Sequence, residues 1–371
     1  MEVYLDNAAT TKVSKDVVLE MTNALKNIYG NPSSVHFKGT EAQEEIDKVR
    51  KIIAKKINAE AKEIIFTSGG SEGNNFCIKG IVKASKKKHI ITSKIEHASV
   101  LNTCKQLELD GFKVTYIDVD KNGLVNPKDV EKAIKKDTAL VTIMHANNEI
   151  GTIQDIEKIG KICKKHKVLF HTDAVQSFLK EKIDAKYIDA LTISAHKFHG
   201  PKGVGAVYLR QGMKVDKLIE GGKQEFNLRG GTQNVPGIIG MGKAVELWKE
   251  NKMKDLRDYM IKRILTEIPG TKLNGHKTKR LANNINISFD DVEGEVVMLH
   301  LSYLNVAVGT GSACHEKMIK VSHVLHAIGL DKKSAIGAVR FTLSPFTTKK
   351  EVDFAIEKLK TVVQTLRKVK T

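Results

Sequence analysis

Between residues 63 and 209 short β-rich runs recur at intervals that leave room for a helix between neighbours, and no other feature of the 371-residue chain limits its fold as strongly. The runs are Glu63 to Thr67, His89 to Thr92, Lys113 to Ile117, Leu140 to His145, Val168 to His171 and Leu191 to Ser194. Strands joined through helices need crossover connections, which predicts a mostly parallel sheet covered on both faces. A seventh run, Gly203 to Leu209, follows the turn His199-Gly200-Pro201-Lys202 and is expected to return antiparallel. Ala42, Ile46, Val49, Ile53 and Ile57 recur near the helical period, so Gly39 to Asn58 reads as an amphipathic helix. Past Gly237 the pattern changes to one long helical stretch from Ile238 to Ile268, a strand from Asn284 to Phe289, a helix from Glu293 to Tyr303, a glycine-containing loop and a last helix from Lys349 to Leu366. The expected division is a large domain over residues 16–250 and a smaller α+β domain over 251–371, joined by residues 1–15.

Composition narrows the partners. Lys and Arg number 61 against 43 Asp and Glu, a formal charge of +18, and such a surface attracts anions over long range. The basic residues are spread along the chain among acids at helical spacing, with Lys86-Lys87-Lys88 the compact exception. Aromatic content is 5% and no recognition-helix or aromatic RNA-binding pattern is present, so direct nucleic-acid binding is not expected. The start, Met1 to Asp6, has neither a basic segment nor an apolar one, and no apolar run approaches the roughly 18 residues of a membrane helix. A cytoplasmic protein is the expectation. Cys77, Cys104, Cys163 and Cys314 lie far apart without a CxxC pair, which argues against a disulfide framework or a metal site. The first three sit in apolar or amphipathic segments, whereas Cys314 follows Gly309-Thr310-Gly311-Ser312-Ala313.

Three strand ends could carry chemistry. Ser68-Gly69-Gly70-Ser71-Glu72 lies between a predicted strand and a predicted helix, where free N–H groups and small residues can cradle a phosphate, or simply make a turn. Asp173 ends a strand of a parallel sheet, the place where ligands gather, and a carboxylate there can pair with a pyridine nitrogen or cap the next helix. Lys197 follows another strand, and a lysine buried there would lose its proton readily and act as a nucleophile.

The ordered set Asp6-Asn7-Ala8-Ala9-Thr10-Thr11, Thr67-Ser68-Gly69, Glu96-His97, Met144 to Gly151, Asp173-Ala174-Val175-Gln176, His196-Lys197, Arg229-Gly230-Gly231-Thr232, Gly311-Ser312-Ala313-Cys314 and Arg340-Phe341 resembles the cysteine desulfurase family, the NifS- and IscS-like class-V aminotransferases. The resemblance implies a type I pyridoxal 5′-phosphate (PLP) transferase fold, with a mostly parallel seven-stranded sheet, and a homodimer. It implies that Lys197 holds PLP as a Schiff base and moves substrate protons, that Asp173 pairs with the pyridine nitrogen, and that His97 stacks on the ring. Asn148 and Gln176 would bond the phenolic oxygen. Gly70, Ser71, Ser194 and His196 would bind the phosphate, with Thr232 of the other subunit. Arg340, with Asn148, would receive the substrate carboxylate in its planar fork. Cys314, as thiolate, would take sulfur from L-cysteine as a persulfide and leave L-alanine. No resident metal is implied; an iron–sulfur cluster would touch Cys314 only in passing.

The sequence departs from the family pattern at Gly70-Ser71, where many relatives have Ala-Thr, and in a shorter segment from His315 to His323. It ends at Thr371 without the tail by which longer relatives dock an iron–sulfur scaffold, which counts against that docking; the sulfur acceptor is expected to be such a scaffold or, instead, a tRNA-thiolation or other acceptor enzyme. Competing readings are a selenocysteine lyase or another PLP enzyme of the same fold, and a non-catalytic basic binding module.

Overall fold

In the computed structural model, which describes residues 1–249, 253–310 and 322–370, the strands form three sheets. In chain order they are β1 (Val3–Tyr4), β2 (Ile64–Thr67), β3 (His89–Ser93), β4 (Lys113–Ile117), β5 (Thr138–Thr142), β6 (Leu169–Asp173), β7 (Ala190–Ser194), β8 (Gly205–Leu209), β9 (Thr271–Leu273), β10 (Asn284–Phe289), β11 (Val306–Ala307) and β12 (Ala338–Thr342). The main sheet has the order β2-β8-β7-β6-β5-β3-β4, and within it only β8 runs antiparallel to its neighbours. The expected antiparallel return is therefore present, inserted between β7 and β2. Every residue of β3, β5 and β7 is buried, because helices cover both faces.

The helices that matter for the site are α1 (Lys15–Asn27), α2 (Phe37–Lys56), α3 (Gly70–Ala84) and α4 (Ala98–Leu109). The predicted helix over Gly39 to Asn58 is α2, with Ala42, Ile46, Val49 and Ile53 buried as the spacing required. Cys77, Cys104 and Cys163 are buried free thiols, and burial pushes each up to about 12. A second apolar core joins β10, β12 and helix Lys349–Lys370 to the very start of the chain, through Val3 and Leu5. The β12-β10-β9 sheet backs this core, and the two-residue β1 pairs in parallel with β11. Among the described residues no helix is long and apolar enough to cross a membrane.

Two expectations need correction. The single helix expected from Ile238 to Ile268 is two, Val235–Leu247 and Met253–Glu267, because Trp248 takes an extended backbone that cannot continue the first. The strand expected over Leu140 to His145 ends at Thr142, and the Met144 N–H goes instead to the carboxylate of buried Glu96 at 3.0 Å.

Candidate active site

Parallel strands deliver their carboxyl ends to one side of the sheet, and β6 and β7 end there on Asp173 and Ser194. α3 starts at Gly70, just past the end of β2. Between them lies a cavity of about 200 Å³ lined by Gly70, Ser71, His97, Asn148, Asp173, Gln176, Ser194, His196 and Lys197, together with Asn74, Ser99 and Val175. Every predicted cofactor residue other than Thr232 is on that lining. A larger cleft of about 890 Å³ lies between Leu124 to Pro127 and Lys279-Arg280, but it collects none of these groups.

Lys197 enters on the short turn that follows β7. Its Nζ donates to the carbonyls of Ala8 at 2.6 Å and Ala9 at 2.7 Å, so the Asp6 to Thr11 segment wraps the amine. Burial lowers its proton affinity from the ordinary lysine value to about 8, helped by Arg340 and opposed by Asp173 and Asp6. His196 Nδ1 faces Thr10 Oγ1 at 3.1 Å, and burial, with Lys197 and two further lysines, holds this imidazole near 4 and hence neutral. Behind the turn, Lys180 Nζ donates to the carbonyls of Gln176 at 2.9 Å and Lys197 at 3.1 Å. Burial, then Lys197, pushes that second amine down to about 7.

Asp173 accepts from Val175 N at 2.9 Å through Oδ1 and from Asn74 Nδ2 at 2.7 Å through Oδ2, so it turns the chain while it faces the cavity. The helix that Asp173 was expected to cap is absent, since residues 175–180 form turns, and its bond to Val175 N closes a turn instead. Asn74 also donates to Ser99 Oγ at 2.8 Å, yet its own Oδ1 is buried without a partner among the described residues. His97 caps α4, its Nδ1 accepting from Ser99 N at 3.1 Å, which fixes the ring plane. Gln176 Nε2 donates to Ala8 O at 2.9 Å.

This set of groups fits PLP. The start of α3 carries no side-chain cap, leaving its first N–H groups for a phosphate, and a Cβ on Gly70 would more than fill the gap, 2.8 Å from Val175 Cγ2. Glu72, the acid in that first turn, is turned away: it accepts from Ser68 N at 2.9 Å and from Arg229 Nε at 3.0 Å. A buried carboxylate is available for a ring nitrogen, an orphaned amide oxygen for a donor, and an amine of lowered proton affinity for an aldehyde.

Arg340, on β12, does not line the cavity, but its charge is felt by Lys197. Its Nη1 donates to Asn148 O at 3.0 Å and its Nη2 to Asp6 Oδ1 at 2.7 Å. Thr232 is exposed, outside the cavity, on the loop that Arg229 ties to Glu72. Cys314 lies outside the described residues. Reading the sequence missed Asn74 and Ser99, which sit inside helices with no local mark, and gave no role to the Asp6 to Thr11 segment. The run of small and polar residues ahead of α1 was the only local sign that this segment does something besides begin the fold.

Comparison with known proteins identifies the family. The family model of class-V aminotransferases matches residues 3–354. Cysteine desulfurase IscS of Dictyoglomus turgidum is 50% identical, over 99% of this chain and 96% of its own. The solved structure of a NifS-like protein superposes with a TM-score of 0.92 at 39% identity, covering 98% of this chain and all of that one. The structure of SspA in complex with cysteine superposes with a TM-score of 0.85 at 40% identity, covering 94% of this chain and 100% of that one. A match over nearly the whole length to that family model, joined to half identity with a desulfurase, means that the chain belongs to the cysteine desulfurase family of class-V aminotransferase-like, PLP-dependent enzymes.

Proposed function

We propose that this protein removes sulfur from L-cysteine in the cytoplasm, releases L-alanine and holds the sulfur as a persulfide on Cys314. The observation that carries the reading is the meeting of Lys197, Asp173 and the uncapped start of α3 in one cavity. The similar structure solved with cysteine supports the choice of substrate. Lys197 would carry PLP, with Asp173 at the ring nitrogen, His97 on the ring face, Asn148 and Gln176 at the phenolic oxygen, and Gly70, Ser71, Ser194 and His196 at the phosphate. PLP supplies an electron-withdrawing ring that weakens bonds at the carbons of a bound amino acid.

The protein's own groups do the rest. Arg340 and Asn148 receive the substrate carboxylate. Lys197 Nζ, with a proton affinity near neutral, takes and returns protons at the substrate carbons. The Cys314 thiolate attacks the substrate sulfur: an S–S bond forms, the C–S bond breaks, and its electron pair stays on the carbon that is protonated to the methyl of alanine. Thr232 is exposed on a chain whose own cavity it does not reach, which supports a homodimer in which it serves the partner's phosphate. The two largest apolar cores, one over residues 17–245 and one over residues 260–363, support a division near residue 250, with the segment 1–15 joining the smaller unit through Val3 and Leu5. A scaffold for iron–sulfur clusters or a tRNA-thiolation enzyme would accept the sulfur.

The test is mass spectrometry of Cys314 after brief incubation of PLP-loaded protein with labelled L-cysteine. One added sulfur on that residue is expected, with none on Cys77, Cys104 or Cys163, and Cys314→Ala should lose transfer to an acceptor while keeping the cofactor's colour. Normal sulfur transfer by Cys314→Ala would refute the assignment.

A further inference from the structure

Arg340 is already engaged by the protein. Its Nη2 donates to Asp6 at 2.7 Å and its Nη1 to the Asn148 carbonyl at 3.0 Å, while its buried Nε has no partner among the described residues. Three distant segments build this spot. β12 carries Arg340, and Asp6 follows β1 and bridges in parallel to Thr342. Gly309, just past β11, bonds Arg340 backbone to backbone in both directions, at 3.0 and 2.7 Å. A Cβ on Gly309 would stand 2.6 Å from Asp6 Oδ1 and 2.8 Å from Arg340 Nη2. The pair can close only because residue 309 has no side chain.

A free arginine side chain explores many rotamers, and a planar fork meets a carboxylate well only when its plane is fixed beforehand. Asp6 and the Asn148 carbonyl fix two nitrogens, and the Nε, unpartnered among the described residues, leaves hydrogen-bonding capacity that a merely structural ion pair would have used. The pair also stands within electrostatic reach of Lys197, whose proton affinity Arg340 lowers and Asp6 raises. We infer that Asp6 is a positioning residue for substrate recognition: its carboxylate orients Arg340, and Gly309 keeps open the space the pair occupies. The inference rests on the reading that Arg340 receives the substrate carboxylate.

The experiment compares PLP-loaded wild type with Asp6→Ala, Asp6→Asn, Gly309→Ala and Arg340→Ala. It measures the Kd of the product L-alanine from the visible absorbance, and KM and kcat for L-cysteine. Asp6→Ala is expected to raise both Kd and KM about tenfold while kcat stays within about threefold, the split that loss of ground-state positioning produces. Asp6→Asn keeps an oxygen acceptor and should recover binding to within about threefold of wild type. Gly309→Ala should weaken L-alanine binding although both partners of the pair are intact. The inference is overturned if Asp6→Ala binds L-alanine as tightly as wild type, or more tightly, while Arg340→Ala weakens it. L-Alanine binding untouched in Arg340→Ala would instead overturn the carboxylate assignment on which it stands.

Discussion

Lys197 must be buried to meet a cofactor and must also shed a proton to react with it, and one physical cause serves both. Desolvation lowers its proton affinity from the ordinary 10.5 to about 8. The sign for stability follows. Between about pH 8 and 10 the unfolded chain binds a proton that the folded protein does not, so the contribution of Lys197 to stability rises with pH across that window and is smallest below it. For reactivity, only the neutral amine condenses with an aldehyde. Uptake of PLP by cofactor-free protein should therefore quicken about tenfold per pH unit up to pH 8 and then level off. Stopped-flow absorbance at a series of pH values reads this directly; a rate still climbing tenfold per unit at pH 10 would mean an amine that burial has not shifted. Lys197→Ala should take up no colour at any pH.

At the scale of elements, helix Ile156–Lys165 ends with His166 and then Lys167, which is exposed at φ +55° while its N–H bonds Lys164 O at 3.2 Å. This is a left-handed helix stop built without glycine. An L residue there costs roughly 1–2 kcal/mol, and the extra freedom of an unfolded glycine gives back part of the gain. Lys167→Gly should thus stabilise the protein by about 0.5–1 kcal/mol, seen as a higher urea midpoint at unchanged slope. Unequal legibility has a similar local origin. β4, a half-exposed edge strand, and β10, a fully buried one, both coincide with their predicted runs, since turns flank each and mark its ends. β1 and β11 are two residues each, held by pairing across some three hundred residues, and no local pattern can announce that. The site divides the same way. Asp173 and Lys197 were candidates because strand ends in a parallel sheet are where ligands gather, and the ordered family motifs singled them out. The carbonyls of Ala8 and Ala9, the Asn74 amide and the Asp6 carboxylate were not, because each matters only through a partner far along the chain.

The whole molecule leaves an apolar surface that a lone chain has no use for. Tyr29, Val35 and Phe37, between α1 and α2 or at the head of α2, are 72%, 101% and 78% exposed. Lys38 Nζ lies over the rings of both Tyr29 and Phe37, at 5.3 and 5.7 Å, so the two aromatics form one patch and not isolated exposures. Patches of this kind mark interfaces, and the role proposed for the exposed Thr232 at a partner's phosphate would require a second subunit. Sedimentation of wild type should give twice the monomer mass down to low concentration. Phe37→Asp is the informative variant, because the first turn of α2 holds no acid and a carboxylate there should favour the helix. Any loss then falls on association and not on folding. The variant should shift towards monomer and release PLP faster, since the phosphate would lose the partner's hydroxyl. A monomeric wild type that keeps its cofactor would show that this patch covers something other than a second copy.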